Sequence, residues 1–183
     1  RMFGCQHDDA LPNIMTLGKG MASGYPVSGV VSTNEIITAK PFANPSGSSS
    51  SYGGNPLASA ACHATLRTII DEKLADNSRD IGAFMLGELR NMQEKYRFMG
   101  DVRGRGLMIG VEMVEDRKTR VHLSRHITRA LFDECLKRGL MSMCYSHTIR
   151  INPPLVITKA QAEEGLAKLD EAFAAIARKF NLQ

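Results

Sequence analysis

Lys19 is the residue with the clearest opening for covalent chemistry. It stands between Gly18 and Gly20, in a stretch that continues through Met21, Ala22, Ser23, Gly24, Tyr25 and Pro26. An aldehyde cofactor needs a lysine amine that can form an imine, held at a strand end where small neighbours leave room for a flat ring. Taken alone, the spacing fits a solvated loop lysine at least as well.

Two further positions carry possible ligand chemistry. Ser51 precedes Tyr52, Gly53, Gly54, Asn55 and Pro56. Asn55 is a good helix cap and Pro56 suits a first helical turn, so Ser51 with the amides of Gly53 and Gly54 lies where an anion or phosphate could sit. A plain capped loop is the competing reading. Arg150 lies in an alternating apolar run, 148–152, that ends at Pro153 and Pro154. An arginine there must face water, a structural carboxylate or a ligand carboxylate, and the pattern alone does not choose among them. The five histidines, at 7, 63, 122, 126 and 147, have neither metal-ligand nor triad spacing and are read as surface or packing residues.

The elements that must position these residues follow from periodicity. Apolar, β-branched runs at 14–17 and 27–33 predict two buried strands. Glycine is costly inside regular elements and Pro26 lacks a donor, so 18–26 is expected to be the loop between them. A short helix near 35–40 precedes a Ser/Pro/Gly-rich stretch at 41–51. Helical spacing then covers 56 to about 74 and resumes at Ile81, Met85, Leu89 and Met92, with Asp76 or Asn77 as the expected break; these two helices are expected to bridge two domains. Strands at 100–103, 107–114, 140–144 and 148–152 and helices at 123–138 and 159–180 complete an α+β second part. In the run Arg103-Gly104-Arg105-Gly106, a tight turn is favoured over a basic, glycine-rich RNA-binding segment. The expected division is 1–75 and 76–183.

Composition bounds the class. The chain has 183 residues, 43% of them hydrophobic and 23% charged, which describes a soluble globular protein with enough length for a sizeable core. No apolar run approaches the roughly 20 residues of a membrane-spanning helix. The net charge of +4 arises from 23 basic and 19 acidic residues that are mostly interspersed, which argues against a nucleic-acid partner. Cys5, Cys62, Cys135 and Cys144 lack paired zinc spacing and are expected to be reduced, mostly buried thiols in a cytoplasmic protein. The start, Arg1, is not a methionine and reads as a cut.

Five stretches, in order, together carry a resemblance: Thr16-Leu17-Gly18-Lys19-Gly20, Gly24-Tyr25-Pro26-Val27-Ser28-Gly29, Ser51-Tyr52-Gly53-Gly54-Asn55-Pro56-Leu57-Ala58, Gly100-Asp101-Val102-Arg103-Gly104-Arg105-Gly106-Leu107 and Arg150-Ile151-Asn152-Pro153-Pro154-Leu155. Over essentially its whole length the chain resembles the carboxy-terminal portion of class III pyridoxal-phosphate-dependent aminotransferases. That family includes ornithine, acetylornithine and 4-aminobutyrate aminotransferases and dialkylglycine decarboxylase.

The resemblance implies a fold type I enzyme, α/β plus α+β, with this chain supplying the end of the large-domain sheet and the small carboxy-terminal domain. It implies pyridoxal 5'-phosphate as cofactor, Lys19 as the Schiff-base lysine that also moves a proton, and Ser51 and Tyr52 as cofactor-binding residues. Ser51 stands where the family usually has a threonine that serves the neighbouring subunit's cofactor, which implies a homodimer with shared active sites. Arg150 stands where the family binds the substrate carboxylate, and no metal is implied.

The implied reaction is ping-pong transfer of an amino group from an amino donor to a 2-oxo acid acceptor. Decarboxylation or racemisation by a relative of the same family is the alternative, and a non-catalytic truncated product is another. The family's phosphate loop, ring-stacking aromatic and ring-nitrogen aspartate fall before Arg1. By the resemblance, this chain alone is therefore expected to be inactive.

Overall fold

The computed structural model describes residues 1–47, 49–144 and 146–182. The chain divides into two compact units, Arg1–Ala75 and Asp76–Gln183, and the division falls in the first turn of a helix.

In the first unit, β1 (Ile14–Leu17) and β2 (Gly29–Ser32) form an antiparallel pair in which Met15 faces Val31 and Leu17 faces Gly29. Helix α1 (Asn34–Ile37) is a single turn, started by Thr33, whose hydroxyl accepts from the Ile36 N–H. Helix α2 (Pro56–Asp71) starts where Asn55 and Pro56 predict, because Asn55 Oδ1 accepts from the N–H groups of Leu57 and Ala58 at 3.0 and 3.1 Å. It ends earlier than its spacing predicts. Glu72 caps it and Lys73 takes a left-handed φ of +53°, so the break lies at 72–73 and not at Asp76 or Asn77.

The expectation of buried strands is also corrected. Val30 and Val31 are both 57% exposed, and among the described residues of this unit only Ala22 and Leu74 are buried. Two strands form one thin layer, and their apolar side chains gain burial only when another layer covers a face.

The second unit holds the core. Helix α3 (Leu74–Lys95) leads to an antiparallel sheet in the order β3 (Met99–Arg105), β4 (Met108–Met113), β5 (Thr148–Ile151). Between β4 and β5 runs α4 (Arg125–Lys137), and α5 (Lys159–Phe180) closes the chain. One face of each strand is apolar. Val102, Ile109, Val111, Met113 and Ile149 pack with Leu89 of α3, Leu131 and Cys135 of α4, and Phe173 and Ile176 of α5. Tyr96, Phe98 and Phe173 stack mutually with ring centroids 5.3–5.5 Å apart, the tilted and edge-on geometry that aromatic quadrupoles favour. Each fully buried side chain of this size contributes roughly 1.5–3 kcal/mol.

The glycine-rich stretch between β3 and β4 is a tight turn. Gly106 has φ +57°, and the Leu107 N–H donates to Ser78 Oγ at 3.1 Å. Helix α5 opens with a capping box between Thr158 and Gln161 and closes on Asn181 in a left-handed conformation.

The run expected as a strand at 140–144 does not form one. Gly139 turns the chain with φ +72° after α4, and only Met143 makes an isolated bridge, to Arg150. A strand needs a ladder of paired amides, and β5 is only four residues long and already paired with β4 along its other edge. No helix among the described residues is long and apolar enough to cross a membrane.

Candidate functional site

Lys19 opens a 3-10 turn, Lys19–Ala22, just after β1. The segment expected as a plain loop is therefore ordered by its own hydrogen bonds: Met21 N–H to the Gly18 carbonyl at 3.1 Å and Ser23 N–H to the Gly20 carbonyl at 3.3 Å. Lys19 has φ +51°, Ser23 +50° and Gly24 +101°. A left-handed φ costs a residue with a Cβ roughly 1–2 kcal/mol, and lysine has no short polar side chain to offset it locally. The turn packs against α2, and Ala22 is its buried residue.

Space around the lysine matches the small neighbours seen in the sequence. A Cβ built on Gly20 would meet nothing within 4 Å, and one on Gly18 would reach only the Val27 carbonyl and Ser28 Cβ at 3.7 and 3.8 Å. Lys19 is exposed, and among the described residues its amine has neither a hydrogen bond nor an ion pair.

Ser51 and Tyr52 lie in the exposed turn before α2, and Tyr52 is 83% exposed. The amides here differ from the expectation in one respect. The Gly53 N–H donates to the Ser50 carbonyl at 3.1 Å and is already used, and the Asn55 N–H donates to the Tyr52 carbonyl. Asn55 itself occupies the first amides of α2: its side chain accepts from Leu57 and Ala58, and its carbonyl from Ser59. The donors left in the turn, among the described residues, are the amides of Ser51, Tyr52 and Gly54 and the Ser51 hydroxyl. Gly54 has φ +73°, a conformation glycine adopts without strain.

Arg150 belongs to the second unit. On β5 the side chains alternate, so Ile149 is fully buried and Arg150 points out. Across the ladder it faces Gly110 of β4, and on its free side its N–H donates to the Met143 carbonyl at 3.3 Å. Beside it lies a groove of about 380 Å³ walled by apolar side chains that include Met85, Met141, Met143, Pro153 and Leu169. Neighbouring arginines are neutralised: Arg103 by Asp101 and Arg120 by Glu112, each at 2.6 Å. Among the described residues Arg150 has no carboxylate within ion-pair range, so a structural salt bridge does not explain it.

The structure thus keeps Lys19, Ser51 and Tyr52 in one unit and Arg150 in the other. The sequence reading did not find the groove beside Arg150. Its signal was present in Met141 and Met143, apolar residues after a helix-ending Gly139, but they were assigned to a strand. The histidines are not all isolated: the His122 and His147 rings stack with centroids 3.8 Å apart.

The sequence profile described as Aminotransferase class-III matches residues 1–173, and the chain belongs to this family. It is 38% identical over 163 residues to the mitochondrial alanine–glyoxylate aminotransferase 2 of Pongo abelii, covering 87% of this chain and 31% of that protein. It is 34% identical to the leucine/methionine racemase of Thermococcus litoralis, covering 95% of this chain and 39% of the racemase. An amine transaminase from an uncultivated Pseudomonas species, solved in its PLP-bound form, superposes with a TM-score of 0.89 at 30% identity. That match covers 96% of this chain and 41% of the transaminase, so the architecture is that of part of a fold type I PLP-dependent transaminase. The chain spans about a third to two fifths of the length of these relatives.

Proposed function

We propose that this chain works as the carboxy-terminal part of a larger pyridoxal-phosphate-dependent aminotransferase, with Lys19 as the residue that holds the cofactor. The observation that carries this reading is Lys19 itself: an exposed amine without a partner among the described residues, on a strained turn between two glycines with open space beside it. Backbone strain held in place by surrounding packing is characteristic of working sites.

When bound, pyridoxal 5'-phosphate supplies an aldehyde for amines and a conjugated ring that accepts electron density from a substrate α-carbon. The residues present fit such a group in two respects. Lys19 Nζ would hold the aldehyde carbon, and the same amine, when free, would be the base that moves the proton at the substrate Cα. Ser51, through its hydroxyl and N–H, and the N–H groups of Tyr52 and Gly54 form a turn that fits a phosphate. Arg150 orients the substrate by pairing its guanidinium with a carboxylate, a two-pronged contact that lysine reproduces poorly.

The substrates in this reading are an amino donor and a 2-oxo acid acceptor. The family motif at Ser51 supports a homodimer in which this turn serves the partner's cofactor. Four free cysteines support a reducing compartment such as the cytoplasm.

A second reading, racemisation on the same cofactor, is favoured by one observation. Two of the relatives are amino-acid racemases, at 34% and 36% identity. Product analysis separates them, because a transaminase makes a new 2-oxo acid and a racemase makes only the mirror-image amino acid.

The deciding experiment is borohydride reduction of the full-length protein with bound cofactor, followed by peptide mapping. The cofactor is expected on the peptide containing Lys19, and Lys19→Ala is expected to abolish turnover. Label on a different lysine, or a fully active Lys19→Ala protein, overturns the assignment.

A further inference from the structure

Cys135 and Cys144 are free thiols without solvent exposure, and their sulfur atoms lie 3.9 Å apart inside the second unit. Cys135 is in the last turn of α4. Cys144 ends the irregular segment after Gly139, next to Met141 at 87% and Met143 at 43% exposure. The pair is thus buried, but Cys144 follows the exposed Met141 and Met143 on a segment that belongs to no helix or strand. Neither cysteine belongs to the cofactor or carboxylate sites described above.

We propose that Cys135 and Cys144 are a peroxide-oxidisable dithiol that closes to a disulfide and ties the 139–144 segment to α4. The sulfurs need approach only from 3.9 Å to a bonding distance of about 2.0 Å, which rotation of two short side chains and a small movement of an irregular segment can supply. The two thiols share one hydrogen bond. That bond, followed by burial, raises the Cys135 thiol above its ordinary range, and the same bond holds the Cys144 thiol below its own.

The chemistry balances with hydrogen peroxide as the oxidant. The Cys144 thiolate attacks one peroxide oxygen, the O–O bond breaks, and the departing hydroxide takes a proton to leave as water. Cys135 sulfur then attacks the sulfenic sulfur of Cys144. The S–S bond forms, the S–O bond breaks, and the leaving hydroxide carries away the Cys135 proton as a second water. Two thiols and one peroxide give one disulfide and two waters.

The consequence is local and structural. The Met143 carbonyl is the acceptor for the Arg150 N–H, so a disulfide at the adjacent residue fixes the strand edge from which Arg150 projects. Formation of the bond does not depend on any role assigned to Arg150.

The test is to expose the folded full-length protein to hydrogen peroxide, block remaining thiols with N-ethylmaleimide after unfolding, and map the peptides by mass. The expected product is a linked pair of peptides carrying Cys135 and Cys144, short of two hydrogens and separated by dithiothreitol. In Cys135→Ser the link is lost and Cys144 proceeds to the sulfinic acid. Should that variant fail to fold, the map of the natural protein still decides. Full alkylation of both thiols after peroxide treatment, or sulfinic acid at Cys144 with Cys135 still reduced, overturns the proposal.

Discussion

Gly82 of α3 lies directly against Gly106 of the β3–β4 turn, so close that a Cβ at position 82 would overlap the Gly106 carbonyl group. The contact joins the helix to a turn that Ser78, one helical turn earlier, already holds through the Leu107 N–H. It is backbone against backbone, and neither side can move away by changing a rotamer.

Gly82→Ala is therefore expected to destabilise the second unit by about 1–3 kcal/mol, although alanine is the better helix former by roughly 1 kcal/mol. Gly87→Ala on the same helix provides the contrast. No atom lies within 4 Å of its added Cβ, so that substitution is expected to stabilise by about 0.5–1 kcal/mol. Urea unfolding of the two variants measures the difference, and a stabilised Gly82→Ala would show that the turn can yield.

At Lys19 the left-handed backbone separates stability from activity. Lys19→Gly is expected to be more stable than Lys19→Ala by about 1 kcal/mol, because only glycine escapes the penalty at φ +51°. Both variants are expected to lack turnover. Thermal unfolding of the pair reads the first effect and an amino-transfer assay the second; equal stabilities would mean that the turn relaxes around alanine.

For Arg150, exposure predicts that Arg150→Ala changes stability by less than about 0.5 kcal/mol. Its effect falls on substrates. The kcat/KM for carboxylate-bearing substrates is expected to drop roughly 100-fold or more, and Arg150→Lys to recover only part of it. Amines without a carboxylate are expected to be nearly unaffected. A uniform loss across both substrate classes would assign Arg150 to the fold instead.

Acid sensitivity has one identifiable source in α4. Glu134 is half-buried between Lys137 at 2.7 Å and Arg138 at 2.6 Å, and these partners, Lys137 first, hold its carboxyl below the ordinary range. A lowered folded-state pKa stabilises above the unfolded value and is lost as pH falls through the folded one. Stability from this group is therefore expected to decline from about pH 4.5 downward. Glu134→Gln should lower stability at neutral pH and flatten that part of the profile; an unchanged profile in unfolding experiments across pH 3 to 7 would remove Glu134 as the cause.

Much of this molecule was legible in its sequence. Local signals are self-contained, which is why α5 starts at Lys159 behind the Thr158–Gln161 capping box and α2 starts at Pro56 behind Asn55. The family motifs likewise depend only on order and residue type, so they identified the class before any contact was known. What the sequence could not decide rests on neighbours distant along the chain. Residues 140–144 have strand-like composition, yet a strand exists only where a partner offers unpaired amides, and β5 meets this segment at a single bridge. The valines of β2 read as buried, but burial belongs to whatever layer covers them, and no such layer covers them among the described residues. Lys19 could be seen between glycines; its left-handed φ arises from the turn that Ala22 anchors. Cys135 and Cys144 are nine residues apart with nothing in their spacing to pair them, and only the packing of α4 against the returning chain brings their sulfurs within contact.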